Sequence, residues 1–135
     1  MKFSSEVSAL EKAQRKYFNT FKGRAARMCT LKKQQCKRQG IRFNLDKQWI
    51  LKRLDKCALT GIPFKFTKCK MYKTGGNKSP ANAFGPSIDR IDPTKGYIKS
   101  NCRVILHCVN MFKFTMTDTE MMDVAKALFL GHEPE

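Results

Sequence analysis

Two short strand-like runs, Ser87-Ile88-Asp89-Arg90-Ile91 and Arg103-Val104-Ile105-Leu106, flank ten residues rich in turn formers, Asp92-Pro93-Thr94-Lys95-Gly96-Tyr97-Ile98-Lys99-Ser100-Asn101. β-branched residues bounded by Pro, Gly, Asn and Asp read as strands, and the simplest way to join two of them is an antiparallel hairpin with a long structured loop. A short helix starting near His107 or Cys108 follows at once and carries Asn110 and Lys113. This strand-loop-strand-helix order constrains the fold more than any other feature of the chain. At 135 residues there is room for one such domain with an appended helical arm, and not for two independent catalytic domains.

Helices are expected on either side. No proline precedes Pro63, and Leu10, Tyr17, Phe21, Ala25 and Met28 recur at helical spacing, so an amphipathic helix is predicted over roughly residues 8–37. Gly23 weakens its middle, leaving two shorter helices as a variant, and Gly40 ends it. Asn44 is the expected cap of a second helix that carries Trp49, Ile50, Leu51 and Leu54 and stops near Asp55. Turn chemistry at Thr60-Gly61-Ile62-Pro63 and an exposed loop over residues 68–83 follow. Thr117-x-x-Glu120 has the form of a capping box, opening a final helix with Met121, Val124, Ala125 and Leu128 on one face and Gly131 at its end. The fold class is therefore α+β.

Charge points to the partner. The chain holds 27 Lys and Arg against 11 Asp and Glu, a net charge of +16. Residues 1–56 carry 16 basic and 4 acidic residues, whereas residues 57–135 carry 11 and 7. The excess implies a polyanion, with the front part as grip and the back part as site. Arg15, Lys16, Arg24, Arg27, Lys32, Lys33, Lys37, Arg38 and Arg42 are the candidates for phosphate contacts, which supply most non-specific affinity for DNA. No apolar run reaches the length of a membrane span, and no apolar stretch behind Lys2 suggests a secretory signal, so a cytoplasmic, reducing location is expected. The six cysteines contain no Cys-x-x-Cys pair, which favours core thiols over zinc.

Three polar residues fall at the joints of the central unit: Asp89 on the first strand, Asn101 at the end of the loop, and Asn110 on the helix. Hydrolysis of a phosphodiester calls for a cation at the scissile phosphate, and hard cations such as Mg²⁺ or Mn²⁺ prefer a few oxygen ligands with positions left open. Asp89 and the amide oxygen of Asn110 form such a pair.

The segments Cys57-Ala58-Leu59-Thr60-Gly61-Ile62-Pro63-Phe64, Pro86-Ser87-Ile88-Asp89-Arg90-Ile91-Asp92-Pro93-Thr94-Lys95-Gly96-Tyr97, Asn101-Cys102-Arg103-Val104-Ile105-Leu106 and Asn110-Met111-Phe112-Lys113, taken together, resemble the HNH (His-Me finger) endonucleases. The likeness is to the small phage-associated and homing-type members, and it covers some sixty residues. It implies a basic helical DNA-binding part over residues 1–56 and, over residues 57–135, a ββα-metal nuclease domain closed by a C-terminal helix. It also implies cleavage of double-stranded DNA, with Asp89 and Asn110 as metal ligands and Asn101 pinning the loop through the backbone. Monomer and homodimer both remain open.

The sequence departs from the family at two places. The residue after the metal-binding Asp is commonly His, the general base, and here it is Arg90, which stays protonated and is suited to holding the scissile phosphate. Asp92, expected on the same strand face as Arg90, or a metal-activated water then takes the base's role ahead of His107. The positions at which some relatives bind zinc read Cys57, Thr60, Leu106 and Val109 here, so apolar packing is expected to replace that metal. Loss of the His also leaves a second expectation: a catalytically inactive HNH-fold protein that binds nucleic acid.

Overall fold

A computed structural model describes residues 20–66 and 82–131, with isolated positions (9, 10, 12, 13 and 16) of a preceding helical stretch. Helix α1 spans Phe21–Gln39 and α2 spans Lys47–Leu51. Strands β1 (Pro86–Arg90) and β2 (Cys102–Leu106) pair antiparallel, and α3 (His107–Lys113) and α4 (Asp118–Leu130) follow. The class is α+β, as expected. Most of the 68–83 loop lies outside the described residues, as does Tyr17.

The helix ends follow local chemistry. Thr20 caps α1, its Oγ1 accepting the Gly23 N–H at 3.1 Å, and the helix runs through Gly23 without a break. Gly40 ends α1 with φ 66°, a conformation that needs no Cβ. The cap of α2 is Asp46, not Asn44, since Asp46 Oδ1 takes the Trp49 N–H at 2.8 Å. Asn44 is drawn away by tertiary structure, its Oδ1 accepting the Lys99 N–H at 2.8 Å. Helix α2 also stops at Leu51, earlier than predicted.

At the start of α4 both bonds of the capping box form, Glu120 N–H to Thr117 Oγ1 and Thr117 N–H to Glu120 Oε2. Thr117→Ala should cost about 1 kcal/mol, the usual value of an N-cap. The loss should be read as fraying of α4 by amide exchange at Asp118 to Met121. Of the predicted apolar face of this helix only Met121 is buried, while Val124 and Leu128 are exposed. Among the described residues no helix is long and apolar enough to cross a membrane.

The hairpin has two covered faces. Register pairs Ile88 with Val104 and Pro86 with Leu106, so these side chains share one face. Ile88, Val104 and Leu106 join Ala25 and Cys29 of α1, Trp49 and Ile50 of α2, and Leu45, Leu54, Cys57 and Phe64 in one apolar core. The parts on either side of residue 56 therefore share a core. Cys29, Cys36, Cys57 and Cys102 are buried free thiols. Burial pushes Cys102 up to about 12, which makes it a packing residue rather than a nucleophile.

The loop between the strands is clamped to the end of α1. Tyr97 N–H donates to the Arg42 carbonyl at 2.9 Å and Asn44 N–H to the Tyr97 carbonyl at 3.1 Å. A Cβ on Gly96 would lie 2.6 Å from the Arg42 oxygen, so only glycine permits this approach. Lys99 and Asp46 close the junction with an ion pair of 2.6 Å.

Candidate functional site

The other face of the hairpin carries Ser87 and Asp89 on β1 and Arg103 and Ile105 on β2. Helix α3 lies over it. Asn110 and Lys113, three residues apart and hence on one helical stripe, meet Ser87 and Asp89, two residues apart on one strand face. Asn110 Nδ2 donates to Ser87 Oγ at 2.7 Å and to the Ile88 carbonyl at 3.3 Å. The two predicted metal ligands thus lie against the same stretch of β1, with Asn110 on the peptide group that precedes Asp89.

Asp89 is only 4% exposed and sits in a network of charges. Its cross-strand partner Arg103 donates from Nε to Oδ2 at 2.9 Å, and Lys113 Nζ lies 3.2 Å from both carboxylate oxygens. Lys113, 1% exposed, also donates to the carbonyls of Arg90 at 2.7 Å and Ile91 at 3.2 Å. Arg103 turns its two terminal nitrogens to Asp118 at 2.9 and 2.6 Å, and Lys113 is 3.3 Å from the same carboxylate. The hydrogen bond from Arg103 holds the Asp118 carboxyl below the usual range. Two acids and two bases balance, which is what burial of ions requires. Lys113, Arg103 and Asp118 are the site residues that sequence reasoning missed. Only the three-residue step from Asn110 to Lys113 signalled any of them.

The loop residue Asn101 is 6% exposed. Its Oδ1 accepts the Asp92 N–H at 2.9 Å, and its Nδ2 donates to the carbonyls of Asp92 and Gly96, both at 3.0 Å. The side chain therefore binds the backbone of the loop from beneath.

The structure does not bring Arg90 and Asp92 to Asp89. Strand alternation turns Arg90 to the opposite face, where Nη1 donates to the Lys95 carbonyl at 3.1 Å and the guanidinium lies 4.9 Å from the centre of the Tyr97 ring. Regular strand ends at Arg90, so Asp92 does not continue its face. Asp92 is instead a turn residue whose Oδ1 accepts from the Thr94 hydroxyl at 2.7 Å and the Thr94 N–H at 2.9 Å. Those bonds, the hydroxyl's foremost, hold its carboxyl below the usual range, which makes it a weak base. His107 is half-buried as the first residue of α3, one turn before Asn110 on the same stripe.

The predicted DNA contacts divide. Arg15 lies outside the described residues; Lys16, Arg27, Lys33, Lys37, Arg38 and Arg42 are exposed. Arg24 turns inward, donating to the Phe66 carbonyl at 3.2 Å, and burial lowers its pKa. Lys32 is half-buried, 4.6 Å from the centre of the Tyr97 ring. Helix α1 has no acidic residue, so its exposed side remains strongly basic.

Among the described residues no three His, Cys, Asp or Glu side chains converge as a metal cage. The narrower set of one carboxylate and one amide does suit a hard cation. A carboxylate has about four acceptor positions; Arg103 and Lys113 fill three, which leaves one on Asp89 Oδ1. Asn110 Oδ1 takes no hydrogen bond from a described residue, because Nδ2 makes both of that side chain's contacts. The neighbouring charges of Lys113 and Arg103 would make such binding weak.

Comparison with family models, with curated proteins and with solved structures yields no match to this chain.

Proposed function

We propose that this chain is a divalent-metal-dependent DNA endonuclease built on a ββα finger of the HNH kind. The observation that carries the reading is the pairing of α3 with β1, Asn110 over Ser87 and the Ile88 carbonyl and Lys113 under Asp89. It brings the two oxygen donors of a resembled motif to one face of the hairpin, in a chain whose helix α1 is strongly basic. A Mg²⁺ or Mn²⁺ ion, when bound, would neutralise charge on the scissile phosphate and the leaving oxygen. Asp89 and Asn110 would hold it. Asn101 fixes the loop, and Arg103 and Lys113 fix the Asp89 carboxylate in one orientation. His107 is the proton acceptor we assign, since Arg90 faces away and Asp92 is engaged by Thr94.

A second reading, binding of nucleic acid without cleavage, is favoured by one observation. The Lys113 ammonium sits among oxygens of Asp89, Arg90, Ile91 and Asp118, in the kind of position a metal would take.

Supercoiled plasmid separates the two. The endonuclease reading expects nicking or linearisation with Mg²⁺ or Mn²⁺, none with EDTA, and at least a hundredfold loss in Asp89→Asn and Asn110→Ala, in line with losses on removing a single transition-state stabiliser. Intact plasmid in the presence of salt-sensitive gel shifts would give the case to the binding protein.

A further inference from the structure

Beside the Asp89 network, at the outer edge of β2, lies a cleft of about 410 Å³ lined by Lys52, Arg53, Asp55, Lys56, Gly61 and Arg103 among others. None of its lysines figures among the DNA contacts read from the sequence. We infer that this cleft seats a backbone phosphate of duplex DNA, with Lys52, Arg53 and Lys56 as its walls and Arg103 as its floor; the inference rests on the DNA-directed reading above.

Three observations carry it. The first is that the cleft's outer cations are uncommitted: among the described residues no carboxylate lies within ion-pair distance of Lys52, Arg53 or Lys56, whereas exposed Lys95 pairs with Asp92 and Lys99 with Asp46. Against these three cations the cleft sets one carboxylate, Asp55, which pairs with none of them, so the lining keeps a positive excess that a polyanion relieves. The second is that Arg53 is already ordered. Its guanidinium stacks 4.1 Å from the Trp49 ring centre, and Nη1 donates to the Trp49 carbonyl at 2.9 Å, leaving Nη2 and Nε for a further acceptor. An arginine fixed this way loses little entropy on meeting a phosphate. The third is continuity, because Arg103 both lines the cleft and bonds to Asp89. A strand seated there passes within one side chain of the carboxylate. The space suits a phosphate with its sugar.

The test is binding of a short DNA duplex across a salt series, with wild-type protein, Lys52→Ser/Lys56→Ser, and Lys95→Ser/Lys99→Ser. Both variants lose the same net charge from exposed positions, so the comparison isolates place from charge, and melting curves for both show whether loss of the Lys99–Asp46 pair disturbs the fold. Each phosphate contact contributes about 0.9 to the slope of log K against log salt. The Lys52/Lys56 variant should therefore lose close to two from the slope and roughly tenfold in affinity at moderate salt, while the Lys95/Lys99 variant should lose much less. Equal effects in the two variants, or none in the first, overturn the cleft as a seat while DNA binding stands. If the wild-type protein binds no duplex at all, the functional reading fails and the inference goes with it.

Discussion

Lys113→Met should lower stability by about 3 kcal/mol, the lower end of what removing one partner of a buried ion pair costs. The lower end applies because Asp89 keeps Arg103 as a partner. Yet the substitution also strips a donor from the carbonyls of Arg90 and Ile91, at the point where β1 turns into the loop. For a chain this size the loss should appear as a melting temperature lower by about 10 °C. The double variant Asp89→Leu/Lys113→Met tests the cause. A buried pair replaced by apolar residues of similar volume is often nearly neutral, and Arg103 would still hold Asp118 through two bonds. Recovery of most of the stability in urea unfolding would identify the uncompensated Asp89 charge as the source of the loss. A double variant no more stable than the single one would show instead that Lys113 acts chiefly through the two carbonyls.

Asn101→Ala should cost a similar amount, about 3 kcal/mol, since each buried group left without a partner costs about 1–3 kcal/mol. Three loop groups lose their partner at once, the Asp92 N–H and the carbonyls of Asp92 and Gly96. Asn101→Asp keeps the acceptor and removes both donors, so it should protect the Asp92 amide from exchange while still destabilising. The signature is local: amide exchange should speed at Asp92 in the alanine variant far more than at Trp49 in the core. Uniform acceleration at both would mean that the side chain supports the whole fold and not the loop in particular.

Which features could be read from the sequence depends on the range of the interaction that sets them. The Thr117 capping box, the left-handed Gly40 and the helix beginning at His107 are fixed within a few residues, and the sequence carries them openly. Asn44 and Asp46 are both capping residues two positions apart, and nothing local decides between them. Lys99, far along the chain, takes one with its backbone and the other with its ammonium. Lys113 reads as a solvent-facing lysine because lysines rarely go inside unpaired. Its burial follows only once Asp89 and Asp118 come together from separate elements. The opposite outlook of Asp89 and Arg90 was accessible from strand alternation alone. Treating the two as one site followed the resembled motif rather than the pleat.

The clamp at Gly96 has a consequence for where the molecule acts. With the loop backbone locked to residues 42–44 and one core beneath both, the basic helix and the Asp89 face are held as a single rigid gauge. An enzyme whose grip and blade hang on a flexible tether scatters its breaks over several positions. If the proposed nuclease reading holds, a molecule built like this would set a constant stride, in base pairs, between the stretch it held and the bond it broke, and lengthening the residue 40–44 connection would blur that stride before it weakened the hold.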